Sequence, residues 1–88
     1  MPSIGPKIVH KWAKRLQPGA SILDIGCGNG VPISEALLEV GFAIYGVDPS
    51  ETLIAKFRER LPNATVECSS VEESRFFKRT FDAVLAWL

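Results

Sequence analysis

The ten residues Ser21–Gly30, SILDIGCGNG, decide how the rest of the chain is read. An apolar burst, Ile22, Leu23 and Ile25, runs into Gly26, Gly28 and Gly30 at every second position, with Asp24 two residues before the first glycine. A short apolar run closed by glycines is a buried strand turning into a helix. Glycines at that turn let the backbone bend sharply and let a ligand approach without meeting a Cβ.

The flanking sequence alternates helix and strand. Ile8, Val9, Trp12, Ala13 and Leu16 recur at helical spacing, which predicts an amphipathic helix over 4–17 ended by Pro18-Gly19. The first strand covers Ser21–Ile25. Beyond the glycines, Ile33, Ala36, Leu37 and Val40 line one face of a helix that stops at Gly41. A second strand runs from Phe42 to Val47 and ends at Asp48-Pro49. A third helix follows over 50–61 with Leu53, Ile54, Phe57 and Leu61 inward, then a strand over 64–68. Ser69 and Glu72 form an S-x-x-E capping box expected to open a short helix toward Phe77. The last strand, FDAVLAWL, reaches the final residue.

This alternation predicts one α/β domain over 1–88, a Rossmann-like three-layer αβα arrangement with a βαβαβαβ core over 21–88. Right-handed crossovers with one reversal give parallel strands in the order 3-2-1-4, and a ligand site beyond the strand tips where the order reverses. Those tips carry Asp24 to Gly28, Asp48-Pro49, Ser69-Ser70 and Ala86-Trp87.

Composition narrows the function. With 88 residues and 47% hydrophobic content, the chain can build one core and is unlike a disordered segment. Ten basic residues balance ten acidic ones, so composition forces no basic face and nucleic acid is not the expected partner. The N-terminus has no apolar leader and no apolar run is long enough to span a bilayer, so a cytoplasmic protein without membrane attachment is expected. Cys27 and Cys68 lack ligand spacing and are expected as small buried thiols in a reducing compartment, with no metal. His10 is expected on the surface.

Two ligand classes use a glycine-rich turn after the first strand: dinucleotides and S-adenosyl-L-methionine. The dinucleotide pattern G-x-G-x-x-G is met by Gly26 and Gly28, but its third position is Val31, and the third glycine comes one residue early at Gly30. Asp24 discriminates further. A pyrophosphate would be repelled by a nearby carboxylate, whereas an amino group and a sulfonium would be attracted. Asp48, at the second strand tip, can accept from two ribose hydroxyls and so fits either nucleoside ligand.

ILDIGCGNG, IYGVDPS and FDAVLAWL together resemble the cofactor-binding motifs of class I S-adenosylmethionine-dependent methyltransferases. The resemblance covers nearly the whole chain from Ile4 and implies a truncated form of that family's fold. It also implies roles: Gly26, Cys27 and Gly28, with Gly30 closing the turn, along the methionine part and Asp24 near its amino group. Asp48 would take the ribose, Pro49 and Ser50 would flank the adenine, and Ala86 would lie near the methionine end. The family often has an aspartate after the third strand. This chain has Ser69-Ser70 there, so either Ser70 or the Val71 N–H reads the adenine, or the serines only cap a helix.

The expected function is S-adenosylmethionine-dependent methyl transfer to a small-molecule acceptor, with no catalytic base identifiable. A non-catalytic cofactor-binding or interaction fragment is the alternative, and an NAD-dependent oxidoreductase fits less well. The fourth strand would be an apolar edge, so a homo-oligomer pairing or packing through it, with Trp87 near the interface, is expected.

Overall fold

The computed structural model describes residues 4–86, apart from the side chains of residues 4–6 and 8. Its elements are α1 (Ile4–Arg15), β1 (Ser21–Ile25), α2 (Ile33–Val40), β2 (Ala43–Asp48), α3 (Glu51–Arg60), β3 (Thr65–Cys68), a 3₁₀ turn (Phe76–Lys78) and β4 (Ala83–Ala86). All neighbouring strands are parallel and the order is β3-β2-β1-β4, as the crossover rule requires.

Strand register assigns the faces. Ala83, Ile22 and Ile44 form one row, and Leu85, Asp24, Gly46 and Val66 a second row on the same face. Ile22 and Ile44 pack there with Leu37 of α2 and with Ile54 and Phe57 of α3, all nearly inaccessible to solvent. Val9 and Trp12 of α1, with Leu16 just beyond its end, close the same cluster. His10 is on the surface. The opposite face carries Val84, Leu23, Tyr45 and Thr65 in one row. Tyr45 is covered by Phe77 and Phe81, both edge-on at ring separations of 5.3 and 5.2 Å, and by the Arg79 guanidinium 4.5 Å from its ring centre.

The helix expected from Ser69 is replaced by a turn and the 3₁₀ segment. The cap also lies one residue further on. Ser70 Oγ accepts from Glu73 N–H at 3.3 Å and donates to Glu73 Oε1 at 3.4 Å, while Ser69 Oγ donates to the Ser70 carbonyl. The cause is strand pairing: Ser69 N–H donates to the Asp48 carbonyl at 3.0 Å, which holds Ser69 in the sheet's hydrogen-bonding pattern. Phe76, Phe77 and Lys78 then take positive φ of 48°, 60° and 53°.

The face of α2 also differs from the apolar pattern. Val40 is 43% exposed, and the buried positions are Leu37 and Ser34. Cys68 is exposed rather than buried, and Cys27 is buried as expected. Trp87 and Leu88 lie outside the described residues.

Phe57 supplies the largest fully buried side chain. Phe57→Ala is expected to destabilise the chain by about 3–5 kcal/mol, a large share of what a domain this size has. Urea unfolding followed by circular dichroism measures this. An unchanged midpoint would contradict the core described.

Candidate functional site

The glycine turn is built by β1 and held down by β2. Gly26 and Cys27 N–H groups both donate to the Val47 carbonyl, at 2.7 and 3.2 Å. The chain then lifts, and Gly28 N–H donates to Asp48 Oδ2 at 3.0 Å. Gly28 has φ +59°, and a Cβ there would meet only Leu53, at 3.9 Å, so the loop is open above it. Gly30 is glycine for a different reason. A Cβ on it would lie 2.8–2.9 Å from Leu61 and Phe57, so the third glycine lets the turn pack against α3. That accounts for its early position: it serves a helix contact and not the dinucleotide spacing.

Asp48 is 9% exposed and uses both oxygens. Oδ2 takes the Gly28 N–H, and Oδ1 takes the Ser50 N–H at 2.9 Å. Ser50 caps α3, its Oγ accepting from Leu53 N–H at 3.2 Å. Asp24 is 1% exposed and accepts from Ser34 Oγ at 2.6 Å; Ser34, also 1% exposed, lies in the first turn of α2. The carboxylate therefore sits beneath the glycine turn. It reaches a ligand above the turn through its field.

Cys27 registers that field. Its side chain fits over Gly46, where a Cβ would come within 2.7 Å of the sulfur. Burial pushes the thiol up to about 12, and the negative charges of Asp24 and then Asp48 push the same way. Two carboxylates thus make the underside of the glycine turn electronegative.

A crevice of about 380 Å³ opens beyond the strand tips, lined in part by Gly26, Asp48, Pro49, Ser70 and Val71. Five of the residues singled out in the sequence are brought together there. Gly28, Gly30 and Cys27 belong to the adjoining turn, and Ser50 is used as a helix cap. Ala86 stands at the tip of β4, paired with Ile25, which also lines the crevice. Sequence reasoning missed Ile25, Val47 and Glu72 as lining residues. Position at a strand tip was the available signal for the first two. Among the described residues no group of three or more His, Cys, Asp or Glu could hold a metal, and no helix is long and apolar enough to cross a membrane.

Residues 22–88 match the family described as methyltransferase domain, which is most of the chain. The chain belongs to this family. Among its relatives, the ubiquinone biosynthesis O-methyltransferase of Bradyrhizobium diazoefficiens is 39% identical over 72 residues, covering 77% of this chain and 28% of the relative. That of Coxiella burnetii is 34% identical over 70 residues, covering 75% and 30%. The chain thus spans under a third of the length of these relatives. Among solved structures, magnesium protoporphyrin IX methyltransferase from Synechocystis with bound S-adenosylmethionine superposes with a TM-score of 0.79 at 22% identity. It covers 93% of this chain and 41% of that one. DesVI of Streptomyces venezuelae gives 0.73 at 27% identity, covering 96% and 35%. The methyltransferase-domain fold is therefore shared over nearly all of this chain, with the glycine turn and Asp48 at the strand tips.

The two thiols of this methyltransferase domain should react differently. At pH 8, iodoacetamide is expected to modify exposed Cys68 and spare Cys27 in the folded chain. Peptide mass mapping reads this. Because the Cys27 thiol ionises later folded than unfolded, the unfolded state binds fewer protons above pH 9. The Cys27 contribution to stability should therefore fall as pH rises from 9 toward about 12.

Proposed function

We propose that the chain binds S-adenosyl-L-methionine and contributes that site to methyl transfer onto a small-molecule acceptor. The observation that carries the reading is the pair of buried carboxylates at the glycine turn, Asp24 beneath it and Asp48 holding its Gly28 N–H at 3.0 Å. Their field suits an amino group and a sulfonium and opposes a pyrophosphate, which disfavours the NAD-dependent alternative. The bound cofactor supplies an electrophilic methyl group for in-line displacement. The chain's residues bind and orient. Gly26, Cys27 and Gly28 offer backbone beside the methionine part, and Gly30 lets the turn seat on α3. Asp48 retains lone pairs for the ribose hydroxyls beyond its two backbone donors. Pro49, Ser50 and Val71 flank the base, and Ala86 stands toward the methyl end. The Ser70 hydroxyl, engaged with Glu73, is placed to support that wall rather than to read the base. No side chain is assigned as a base, so positioning and a matched electrostatic environment are what this part contributes.

Calorimetry with S-adenosylhomocysteine tests the site. Asp48→Ala is expected to weaken binding by about 2–4 kcal/mol, with Asp48→Asn losing less because the amide keeps one acceptor. Unchanged affinity in both variants would remove Asp48 from the site. A thermal shift with NAD but not with S-adenosylhomocysteine would replace the cofactor. Binding without turnover across acceptor panels would favour a non-catalytic fragment.

Assembly and location extend the proposal. β4 pairs with β1 on one side only among the described residues, and Val84 on it is 53% exposed. Such an apolar edge favours a homodimer that pairs or packs the fourth strands. Equilibrium sedimentation is expected to give twice the 9.6 kDa chain mass, and a well-folded monomer at micromolar concentration would refute it. The free thiols fit a cytoplasmic, reducing setting, and because the balanced charge forces no basic face, a small molecule is favoured over nucleic acid as the partner.

A further inference from the structure

Ser34 is a polar residue at a core position of α2, 1% exposed and one turn from the buried Leu37. A buried hydroxyl costs stability unless it is bonded. This one donates to Asp24 Oδ2 at 2.6 Å, the length of a bond to a charged oxygen. Asp24 precedes the glycine turn and Ser34 follows it, so a single bond spans the turn from below. α2 has no side-chain cap at Pro32, and its first turn is held to the strand by this contact instead. Ser34 does not line the crevice, so its influence on a ligand there passes through Asp24.

A carboxylate only 1% exposed stays ionised so far as donors replace the water it has lost. The Ser34 hydroxyl is such a donor, and it also fixes the direction in which the carboxylate points. Gly46, Leu85 and Val66 share the row of Asp24 on the sheet and bring no charge. The charged residues of α1 and α3 are exposed, and Glu35 of α2 faces the hollow it lines with Leu38 and Arg60. The titratable neighbours are Cys27 and Asp48. The Cys27 thiol is pushed up to about 12 and is uncharged at neutral pH, and Asp48 accepts from the Gly28 and Ser50 N–H groups. We infer that Ser34 is a positioning residue that keeps Asp24 an oriented anion beneath the glycine turn, and so sets how strongly the site prefers a sulfonium to a neutral thioether. The inference rests on the cofactor reading above. S-adenosyl-L-methionine carries the positive sulfur, and S-adenosylhomocysteine differs from it only in lacking the methyl group and that charge.

Calorimetry on the 88-residue chain with both ligands, between pH 5 and pH 8, tests it. The readout is the ratio of the two affinities, from which a loss common to both ligands cancels. Ser34→Ala is expected to shift the ratio about threefold or more toward the thioether. Its sign with pH follows from the lost donor: Asp24 takes up a proton at higher pH in the variant, so the ratio falls earlier on acidification. Asp24→Asn, which lacks the charge, should give the low ratio at every pH. Ser34→Thr, which keeps a hydroxyl, should restore the wild-type ratio. Melting curves in the far ultraviolet check that each variant is folded. Should the alanine variant fail to fold, Ser34→Cys, a weaker donor of similar shape, takes its place. A variant without the hydroxyl that weakens both ligands equally at every pH makes the serine merely structural and overturns the inference, as does a ratio that Asp24→Asn leaves unchanged; either leaves the cofactor reading standing. A wild-type chain that binds neither ligand overturns the cofactor reading itself.

Discussion

Asp48 holds two backbone segments that leave different strands, accepting from Gly28 N–H through one oxygen and from Ser50 N–H through the other. Gly28 belongs to the turn after β1, and Ser50 begins the helix after β2. A carboxylate this buried forms charge-assisted bonds worth about 1.5–3 kcal/mol each, so the relative height of turn and helix is set before any ligand arrives. Gly30 completes the arrangement from the far end of the turn, where Phe57 and Leu61 leave room for no Cβ. A ligand thus meets a preformed edge and does not have to order it.

Asp24 reaches the same site by a different physical route. An ionisable group with so little exposure needs partners, and Ser34 provides one from the first turn of α2. The helix is thereby fastened to the strand beneath it, in the row that also holds Gly46 and Leu85. The charge acts on the turn above through a poorly screening interior, and adds to the burial that raises the Cys27 thiol.

Strands and their order were legible because buried parallel strands are short apolar runs and the crossover rule leaves few alternatives. The acids at the strand tips were legible for the same reason. Ser34 was not, since a helical wheel scores a serine as polar and cannot see that its neighbour is a carboxylate inside the sheet. The apolar pattern therefore put Val40 inward, where the helix has already turned toward solvent at Gly41. The stretch SSVEE holds two overlapping S-x-x-E frames, at Ser69/Glu72 and Ser70/Glu73. Local pattern cannot choose between them. The choice is made by a bond to the Asp48 carbonyl, which holds Ser69 to the sheet and frees Glu72.

The two faces of the sheet are finished unequally, and the thin one bears on the site. Among the described residues three α-helices bury the Ile22–Ile44 face, whereas the segment after Ser70 crosses the Tyr45 face with a turn and a 3₁₀ element. Its three residues at positive φ, two of them phenylalanines, occupy a region that costs about 1–2 kcal/mol per residue. The compensating contacts all converge on Tyr45: two edge-on rings, a stacked guanidinium, and a hydrogen bond from Arg79 to the tyrosine hydroxyl. The same segment begins with Ser70, Val71 and Glu72, the outer wall of the crevice. Ser74 Oγ donates to Glu67 of β3 at 2.6 Å between those two regions, tying the wall to the sheet before the strap begins. The wall's position is therefore determined from both ends, by the strand pairing at Ser69 and by the aromatic anchor on Tyr45. A residue in the middle of β2, on the sheet face that Val47 shares, in this way helps to shape the crevice.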